Sequence, residues 1–521
     1  MKKTKRELKK FSPIVIFTVL TIITIALSAL LPLLGSIKIN GVYPLSWLSS
    51  GEITSINDSG ELITSTVSIE SLFNVRGIRY IFGNIVSNFI SFAPLGYLFI
   101  ALVGISIFNK SGLLKSIITV FEGKISNALT TLIIITLGVI SSLFGTVGYV
   151  LLIPLAALIF EHKKRNPLIG IIAAFVGVAG GYGVNFLLGE LSLSLNEYTT
   201  KTVALISEKY TPELYGNYFF MIVASIIIII LSTIITEKII SPKFSSKKED
   251  TDEFLIIGKK EKRGFLFAGV STLLVIIFML YMIIPGMPYS GLLLDNKGTT
   301  YLLKLFGPNS VFKDSIIVII TIILFVSGIS YAIGTKTLKN KNGIANMIMS
   351  SSNNIGYLII LIFFASVFIS IFKYTQIGTL IVIQITELMN LIKPTGFVLV
   401  IVMFILFVIS NMFLTSPTLK WAIMAPTFVQ IANSSFISPE FTEAIYKAAL
   451  GASNLITPLL AYYIIYLGYL QIYSKNETIT LGKSYKFVMP YFWFFSLAYL
   501  ILIVIWYIIN IPIGPGVFPI L

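Results

Sequence analysis

The chain alternates between long apolar runs and short polar connections along most of its length. A membrane-spanning helix needs about 20 mainly apolar residues. The runs that reach this length, some with short breaks, are approximately 13–34, 80–108, 167–189, 218–235, 265–284, 316–333, 344–372, 440–470 and 487–509. The pattern predicts an all-α integral membrane protein with about nine transmembrane helices in the lipid bilayer.

Two further apolar segments, 127–160 and 396–430, carry small polar clusters near their middle. For 127–160, two short crossings and a re-entrant hairpin both agree with the charges of the flanking loops. We favour a hairpin, because irregular backbone at membrane depth is tolerated only where it lines a protein cavity. The segment 396–430, with a polar tip from Asn411 to Thr418, is predicted to be a second hairpin.

Part of this pattern occurs twice. The segment 411–458 is apolar yet interrupted by prolines, and 145–189 resembles it. When Tyr149 is aligned with Trp421, prolines follow at the same distances in both segments, five residues on and then thirteen further: Pro154 with Pro426, and Pro167 with Pro439. Paired, interrupted hydrophobic segments in two halves are typical of the binding site of a secondary transporter built as an inverted repeat.

Basic residues indicate which side of the membrane each connection occupies, because cytoplasmic loops carry an excess of Lys and Arg. Residues 1–10 include six basic side chains and predict a cytoplasmic N-terminus. The charged segment 236–264 is interpreted as a cytoplasmic linker between a first half, 1–235, and a second half, 265–521. The hairpins then start from opposite sides, and the C-terminus lies outside. The other assignments are broken helices at 167–189 and 440–470 and external loops at 36–79 and 190–214.

Composition supports a membrane protein and excludes several functions. Apolar residues make up 56% of the chain and charged residues 12%, against about a quarter in soluble proteins. The net charge of +15 resides in short loops, so no nucleic-acid partner is predicted. With no Cys and a single His, neither a metal site nor acid–base catalysis is expected. We also find no ATP-binding glycine loop. From these observations together, the chain is predicted not to be an enzyme and not to need a cofactor.

Polar groups at membrane depth are candidates for function. Lys447 would attract a substrate carboxylate together with helix N-termini, and Trp421 would stack on an aromatic ring, although a single Trp is more commonly interfacial. Asn185 and Asn454, at the paired breaks, would cap freed backbone or coordinate a cation, with capping favoured. The predicted substrate-binding residues are Asn185, Asn411, Ser416, Trp421, Pro439, Lys447 and Asn454.

Several stretches of the chain resemble signature stretches of the AbgT family of p-aminobenzoyl-glutamate transporters. They are NFISFAPLG, GVAGGYGVNFLLG, GISYAIGTKTLKN, SSNNIGYLIILIFFASVFI, LKWAIMAPTFV, SPEFTEAIY, SNLITPLLAYY and IPIGPG. The resemblance covers nearly the whole chain past residue 13. It implies a homodimer in the bacterial inner membrane, with nine spans and two hairpins per chain. It also implies uptake of p-aminobenzoyl-glutamate or proton-driven export of sulfonamide antimetabolites.

The resemblance can be carried to individual positions. Asn411, Trp421 and Pro439 match family site positions. The family's Arg corresponds to Lys447, but the Asp three residues later is Leu450 here. A lysine is a weaker substitute, because it cannot form a bidentate contact with a carboxylate.

A family Asp in the first half likewise corresponds to Ser192. Two nearby acids, Glu443 and Glu190, are therefore candidates for ion coupling, with rim or loop carboxylates as the equal alternative. Ser192 and Thr457 complete the predicted ion-coupling residues.

Taken together, the residues and the resemblance predict a secondary active transporter in the bacterial plasma membrane. The expected substrate is p-aminobenzoyl-glutamate or a related aromatic anion, and the expected coupling ion is H⁺ or Na⁺. The alternative is an ion-gradient-driven exporter of sulfonamide-type antimetabolites. A channel would require a continuous pore lined by carbonyls or charges, which saturable flux would exclude.

Overall fold

The computed structural model describes residues 11–38, 42–56, 61–207, 210–244, 257–338, 342–350, 355–474 and 477–521. Three predictions concern residues that lie wholly or partly outside these ranges: the cytoplasmic N-terminus inferred from 1–10, the centre of the linker, 245–256, and residues 351–354 of the predicted span 344–372. Helical structure extends into both ends of the predicted linker, because helical turns continue to Lys243 and the next helix begins at Lys259.

The described chain is mainly helical, with one two-stranded sheet. The helices are α1 (Pro13–Gly35), α2 (Val75–Ile90), α3 (Ala93–Lys110), α4 (Leu113–Val120), α5 (Asn127–Ser141), α6 (Val147–His162), α7 (Pro167–Gly181), α8 (Glu190–Ala204), α9 (Tyr218–Ile235), α10 (Lys259–Ile283), α11 (Tyr301–Phe306), α12 (Val311–Gly334), α13 (Gly343–Ser350), α14 (Ile355–Tyr374), α15 (Ile377–Ile392), α16 (Gly396–Asn411), α17 (Pro417–Ser434), α18 (Pro439–Ser453), α19 (Tyr463–Tyr473) and α20 (Leu481–Ile509). The strands are β1 (Ser50–Ile56) and β2 (Leu62–Ser68).

Eight helical segments of the described chain are long and apolar enough to cross a membrane: Pro13–Gly35, Val75–Lys110, Asn127–Phe144, Tyr218–Lys243, Lys259–Ile283, Val311–Gly334, Ile355–Tyr374 and Leu481–Ile509. The predicted spans 167–189 and 440–470 are absent from this set because each is interrupted, after Gly181 and after Ser453. Residues 127–144 enter the set because a 3₁₀ turn extends α5. The exact number of spans and the re-entrant geometry stay predictions.

The sequence reading missed the β-hairpin in the predicted external loop 36–79. β1 pairs antiparallel with β2, with Ser50 opposite Ser68 and Ile56 opposite Leu62. The strands are rich in β-branched Ile, Thr and Val, which are favoured in strands. At Gly51 the hairpin approaches Ile383 on α15. Apart from this hairpin, the regular elements of the described residues are helical.

The prediction of a loop over 190–214 is wrong for its first part, because residues 190–204 form α8. The buried residues of α8 include Ser192, Leu195, Thr199 and Thr202. Their spacing of three, four and three residues follows one face of a helix. The segment was misread because its inward face is largely polar, so its hydrophobicity carries little signal.

The two candidate hairpins are followed by matching elements. α5 and α6 lead into α7, and α16 and α17 lead into α18. Both α7 and α18 have 15 residues, and each begins with a proline directly after a capping side chain, Asn166 or Ser438. Proline is favoured at the first helical position because it has no N–H to leave unpaired. Each helix then ends inside the molecule and gives way to irregular chain at 182–189 or 454–462.

We call α5–α6 the first helix pair and α16–α17 the second, and the base of a pair is the end where the chain enters and leaves it. The two bases lie at opposite ends of α9. At the C-terminal end, Glu237 forms an ion pair with Arg165, which directly follows the first pair. At the N-terminal end, Phe219 N–H donates to Ile513 of the C-terminal tail. The same tail accepts a hydrogen bond at Pro519 O from the backbone of Ser438, after the second pair.

Candidate functional site

The site forms where α18 crosses the end of α7. Every residue of α18 is buried, as are 14 of the 15 residues of α7. Glycines allow the close approach: a Cβ on Gly451 would lie 2.7 Å from the Gly180 carbonyl oxygen, and one on Gly183 would lie 1.8 Å from the Lys447 carbonyl oxygen. The break after α7 therefore packs directly against the backbone of α18 beside Lys447.

Lys447 lies inside the protein and is paired. Its Nζ is 2.8 Å from Glu443 Oε1, one turn earlier on α18, and the two side chains are only 1% and 3% exposed. Nζ also donates to Ser192 Oγ at 3.2 Å and to Asn217 Oδ1 at 3.3 Å. Asn217 Nδ2 donates to Glu443 Oε1 at 3.1 Å. The pair is thus held by hydrogen bonds from outside α18, as a buried ion pair requires.

The network continues to Trp421. Thr199 Oγ1 donates to Glu443 Oε2 at 2.8 Å, and Trp421 Nε1 donates to Thr199 Oγ1 at 3.0 Å. The indole is fully buried against Tyr446, with 4.6 Å between ring centroids, and against the edge of Phe407. An aromatic ligand would therefore have to displace one of these rings to stack on Trp421 in this conformation.

A second polar cluster surrounds Asn411 at the end of α16. Its Nδ2 donates to Ser453 Oγ at 2.7 Å and to Asn454 Oδ1 at 2.8 Å. Its Oδ1 accepts a hydrogen bond from Lys420, a lysine of α17 that is 0% exposed. Sequence reasoning missed Lys420, although the criterion applied to Lys447, a charge within an apolar run, applies equally to it.

Asn185 lies at the break after α7 and is used for capping. Its Nδ2 donates to Val139 O at 2.8 Å and to Ser142 Oγ at 3.0 Å, and its Oδ1 accepts from Phe186 N–H at 2.9 Å. Ser142 in turn donates to Gly181 O at 2.7 Å. These bonds tie the tip of the first helix pair to the end of α7.

The remaining predicted residues do not all converge. Ser192 contacts Lys447, but Glu190 is partly exposed and pairs with Lys313 at 3.3 Å. Ser416 is exposed at the start of α17, and Pro439 is the first residue of α18. Thr457 is buried and donates to Met412 O at 3.3 Å. Sequence reasoning missed Thr199 and Asn217, which the structure brings to Glu443.

The N-terminal end of α18 is tied to the loop after α8. Tyr210 donates to the Glu440 carboxylate at 2.9 Å, and Glu213 N–H donates to Glu440 Oε1 at 3.0 Å. Burial, followed by the neighbouring Glu440 charge, raises the pKa of the Tyr210 phenol, so the hydroxyl remains a hydrogen-bond donor.

Within the described residues, no group of three or more His, Cys, Asp and Glu side chains lies close enough together to hold a metal ion.

Fold and site together define a class of protein. Apolar helices long enough to cross a membrane are combined with two short helices that stop inside the molecule, next to a buried charged network. Interrupted helices with polar groups at their breaks are characteristic of secondary transporters. The chain thus has the construction of a multi-pass membrane transporter.

Residues 9–521 match the family model described as "AbgT putative transporter family". The chain belongs to this family. The family predicted from the sequence, the helical membrane fold and the function in transport are confirmed.

The chain is also similar to a protein of Escherichia coli strain K12, the "p-aminobenzoyl-glutamate transport protein". The two are 25% identical over 454 residues, which is 87% of each chain. Two solved structures are similar over most of their length. The YdaH transporter of Alcanivorax borkumensis is 26% identical, with a TM-score of 0.48, over 97% of this chain and 100% of that one. Neisseria gonorrhoeae MtrF, described as illuminating a class of antimetabolite efflux pumps, is 27% identical, with a TM-score of 0.47, over 98% of each chain.

Proposed function

We propose that the protein is a secondary active transporter of p-aminobenzoyl-glutamate or a related aromatic anion across the bacterial plasma membrane. The observation that carries the proposal is the buried Lys447–Glu443 network of α18, which lies beside the break after α7. Charged groups are expensive at membrane depth and are retained there mainly for function. The substrate class follows from the similarity to the Escherichia coli protein.

The transport cycle proposed is alternating access between two inverted halves. The two helix pairs have their bases at opposite ends of α9, which supports opposite orientations in the membrane. The N-terminus would then be cytoplasmic and the C-terminus external. Rocking of one half against the other would expose the network around α18 to each side in turn.

Ion coupling is proposed to occur at the Glu443–Lys447 pair. A proton or Na⁺ at Glu443 would compete with Lys447 for the same carboxylate, so occupancy by the ion would loosen the contacts to Asn217 and Thr199. Both residues lie outside α18, on the connection to α9 and on α8. Ion binding would thereby alter the packing of α18 against those elements. We also propose that the transporter is a homodimer.

Reconstituted proteoliposomes test this function. Uptake of labelled p-aminobenzoyl-glutamate is measured with a proton gradient alone, with a sodium gradient alone and with neither. We expect saturable uptake driven by one of the gradients and lost in Lys447→Met. The matched control is Lys483→Met, a surface lysine paired with Glu477.

Absence of saturable, gradient-dependent flux from the wild-type protein would rule the proposal out. Gradient-driven movement of a sulfonamide in the opposite direction, without movement of p-aminobenzoyl-glutamate, would favour the export function instead.

A further inference from the structure

Lys420 is a fully buried lysine in the first turns of α17. Its Nζ donates to Asn411 Oδ1 and lies 5.4 Å from the centroid of the Tyr446 ring. Because Asn411 is the last residue of α16, the ammonium group occupies the gap between the end of α16 and the start of α17. It is therefore located at the tip of the second helix pair.

Lys420 and Lys447 differ in their electrostatic surroundings. Lys447 is neutralised by Glu443 at 2.8 Å. In the part of the chain that the structure describes, no carboxylate lies within 4.0 Å of Lys420. An ammonium group has three hydrogens to donate, and burying it without a counter-charge is strongly unfavourable. The Asn411 oxygen and the Tyr446 ring compensate only part of this penalty, so burial disfavours the charged form of Lys420. A bound anion would supply the missing counter-charge and stabilise that form.

The start of α17 supplies further positive potential at the same place. The helix begins at Pro417, and Ser416 makes no side-chain cap to the first turn. The N–H groups of a first turn lack partners within the helix and carry partial positive charge. Ser416 is exposed and Leu419 is 47% exposed, so the first turn lies at the surface of the chain, and Lys420 follows it directly in the sequence.

We infer that Lys420 and the first turn of α17 form the binding site for the carboxylate of the transported anion. The inference rests on the proposed function and makes it more specific: Lys447 serves the coupling pair, and Lys420 receives the substrate. Tyr446 contacts both Lys420 and Trp421. Trp421 and Tyr446 pack against each other in this conformation, so an aromatic ring attached to a carboxylate at Lys420 would have to separate them to lie beside either side chain. The ligand class is an aromatic carboxylate.

The ratio of the affinities for a charged and a neutral ligand tests the site more directly than the affinity for one ligand alone. Binding of 4-aminobenzoate and of the neutral, similarly sized 4-aminobenzamide is measured on the purified full-length protein. We expect the wild type to prefer the carboxylate, and the preference to fall about tenfold or more in Lys420→Met, because a hydrogen bond to a charged group is worth that ratio. Lys420→Arg retains the charge and should keep most of the preference, as should the surface control Lys483→Met.

A merely structural role for Lys420 would lower the folded fraction without changing the ratio of the two affinities. Lys420→Gln is a second neutral variant, so that a folding defect in Lys420→Met does not end the test. An unchanged ratio in a folded neutral variant, or no carboxylate preference in the wild type, would overturn the inference.

Two outcomes separate this inference from the proposed function. Transport of p-aminobenzoyl-glutamate by Lys420→Met with an unchanged KM would overturn the carboxylate site and leave the function intact. Lys420-dependent binding of 4-aminobenzoate without transport of p-aminobenzoyl-glutamate would support the site and reject the proposed substrate.

Discussion

Glu443 and Lys447 form an ion pair one helical turn apart inside α18, with 2.8 Å between Oε1 and Nζ. Family resemblance placed an arginine at Lys447 and an aspartate at Leu450, so the pairing acid of this chain lies on the opposite side of the cation along the helix. The side chains that stabilise the pair come from α8 and from the start of α9. The pair therefore connects α18 to both of these helices.

Replacing one member of the Glu443–Lys447 pair should destabilise the protein more than replacing both together. Lys447→Met or Glu443→Gln alone leaves a buried polar or charged group without its partner, which is expected to destabilise the protein by about 3–5 kcal/mol. The double variant should be distinctly more stable than the sum of the two losses predicts. Thermal unfolding of the purified variants measures all three. Simple additivity would show that the two side chains do not interact.

The hydroxyl of Thr199 should be required for transport. It links Trp421 to the Glu443 carboxylate, and loss of a hydrogen bond to a charged group is worth about 1.5–3 kcal/mol. Thr199→Val is expected to reduce the transport rate about tenfold or more, whereas Thr199→Ser, which keeps the hydroxyl, should retain most of it. Equal rates in both variants would mean that this link has no part in transport.

Gly183 should not tolerate a side chain. A Cβ at this position would lie 1.8 Å from the Lys447 carbonyl oxygen, and backbone cannot yield as a flexible side chain does. Gly183→Ala is expected to destabilise the protein by about 3 kcal/mol, the upper end of the usual penalty for overpacking, and to abolish transport. Gly482 has no atom within 4 Å of a built Cβ, so Gly482→Ala is the matched control. Normal melting of Gly183→Ala would contradict the close crossing.

The two helix pairs should be labelled from opposite sides of the membrane. The chain contains no cysteine, so single cysteines can be introduced at exposed positions beside each base, Lys124→Cys before α5 and Ser434→Cys at the end of α17. A membrane-impermeant maleimide is expected to modify Ser434→Cys in intact cells and Lys124→Cys only in inverted vesicles. Modification of both from one side would refute the inverted arrangement.

Arg165 should be irreplaceable by lysine at the base of the first helix pair. Its guanidinium bonds Glu237 Oε1 at 2.7 Å, Asn127 O at 2.9 Å and Thr131 Oγ1 at 3.0 Å. A lysine cannot reproduce these directions from one planar group, and we expect Arg165→Lys to lose about 1–3 kcal/mol in thermal unfolding. The control is Arg263→Lys, at an exposed arginine. Equal destabilisation by both substitutions would show that the hydrogen bonds of the Arg165 guanidinium do not add to stability.

Much of the fold could be predicted because the relevant signals are local. Apolar runs long enough for a bilayer mark most of the spans. Prolines 167 and 439 follow capping residues, so they mark where α7 and α18 begin. The paired proline spacing also indicated that matching elements follow the two helix pairs. The segment α8 was missed because its buried face is polar, and hydrophobicity alone does not reveal such a face.

The site was only partly predictable. Lys447 was predicted because it is a charged residue within an apolar segment. Asn411 and Trp421 were predicted because they match site positions of the family. Neither criterion indicated Thr199 or Asn217, because an ordinary polar residue acquires its role only from the group it contacts.

The sequence by itself determined the class of protein: the apolar runs require a bilayer, the family motifs span the chain, and Lys447 is a charged residue within an apolar segment. Lys420, which sequence reasoning missed, is another such residue. Tertiary structure decided which of these cations has a counter-charge. Glu443 lies on the same helix as Lys447, but the groups that hold it come from more than 200 residues away, as the separation of 226 residues between Asn217 and Glu443 shows. Such contacts depend on how helices pack, and the difference in charge compensation between Lys420 and Lys447 exists only in the folded chain.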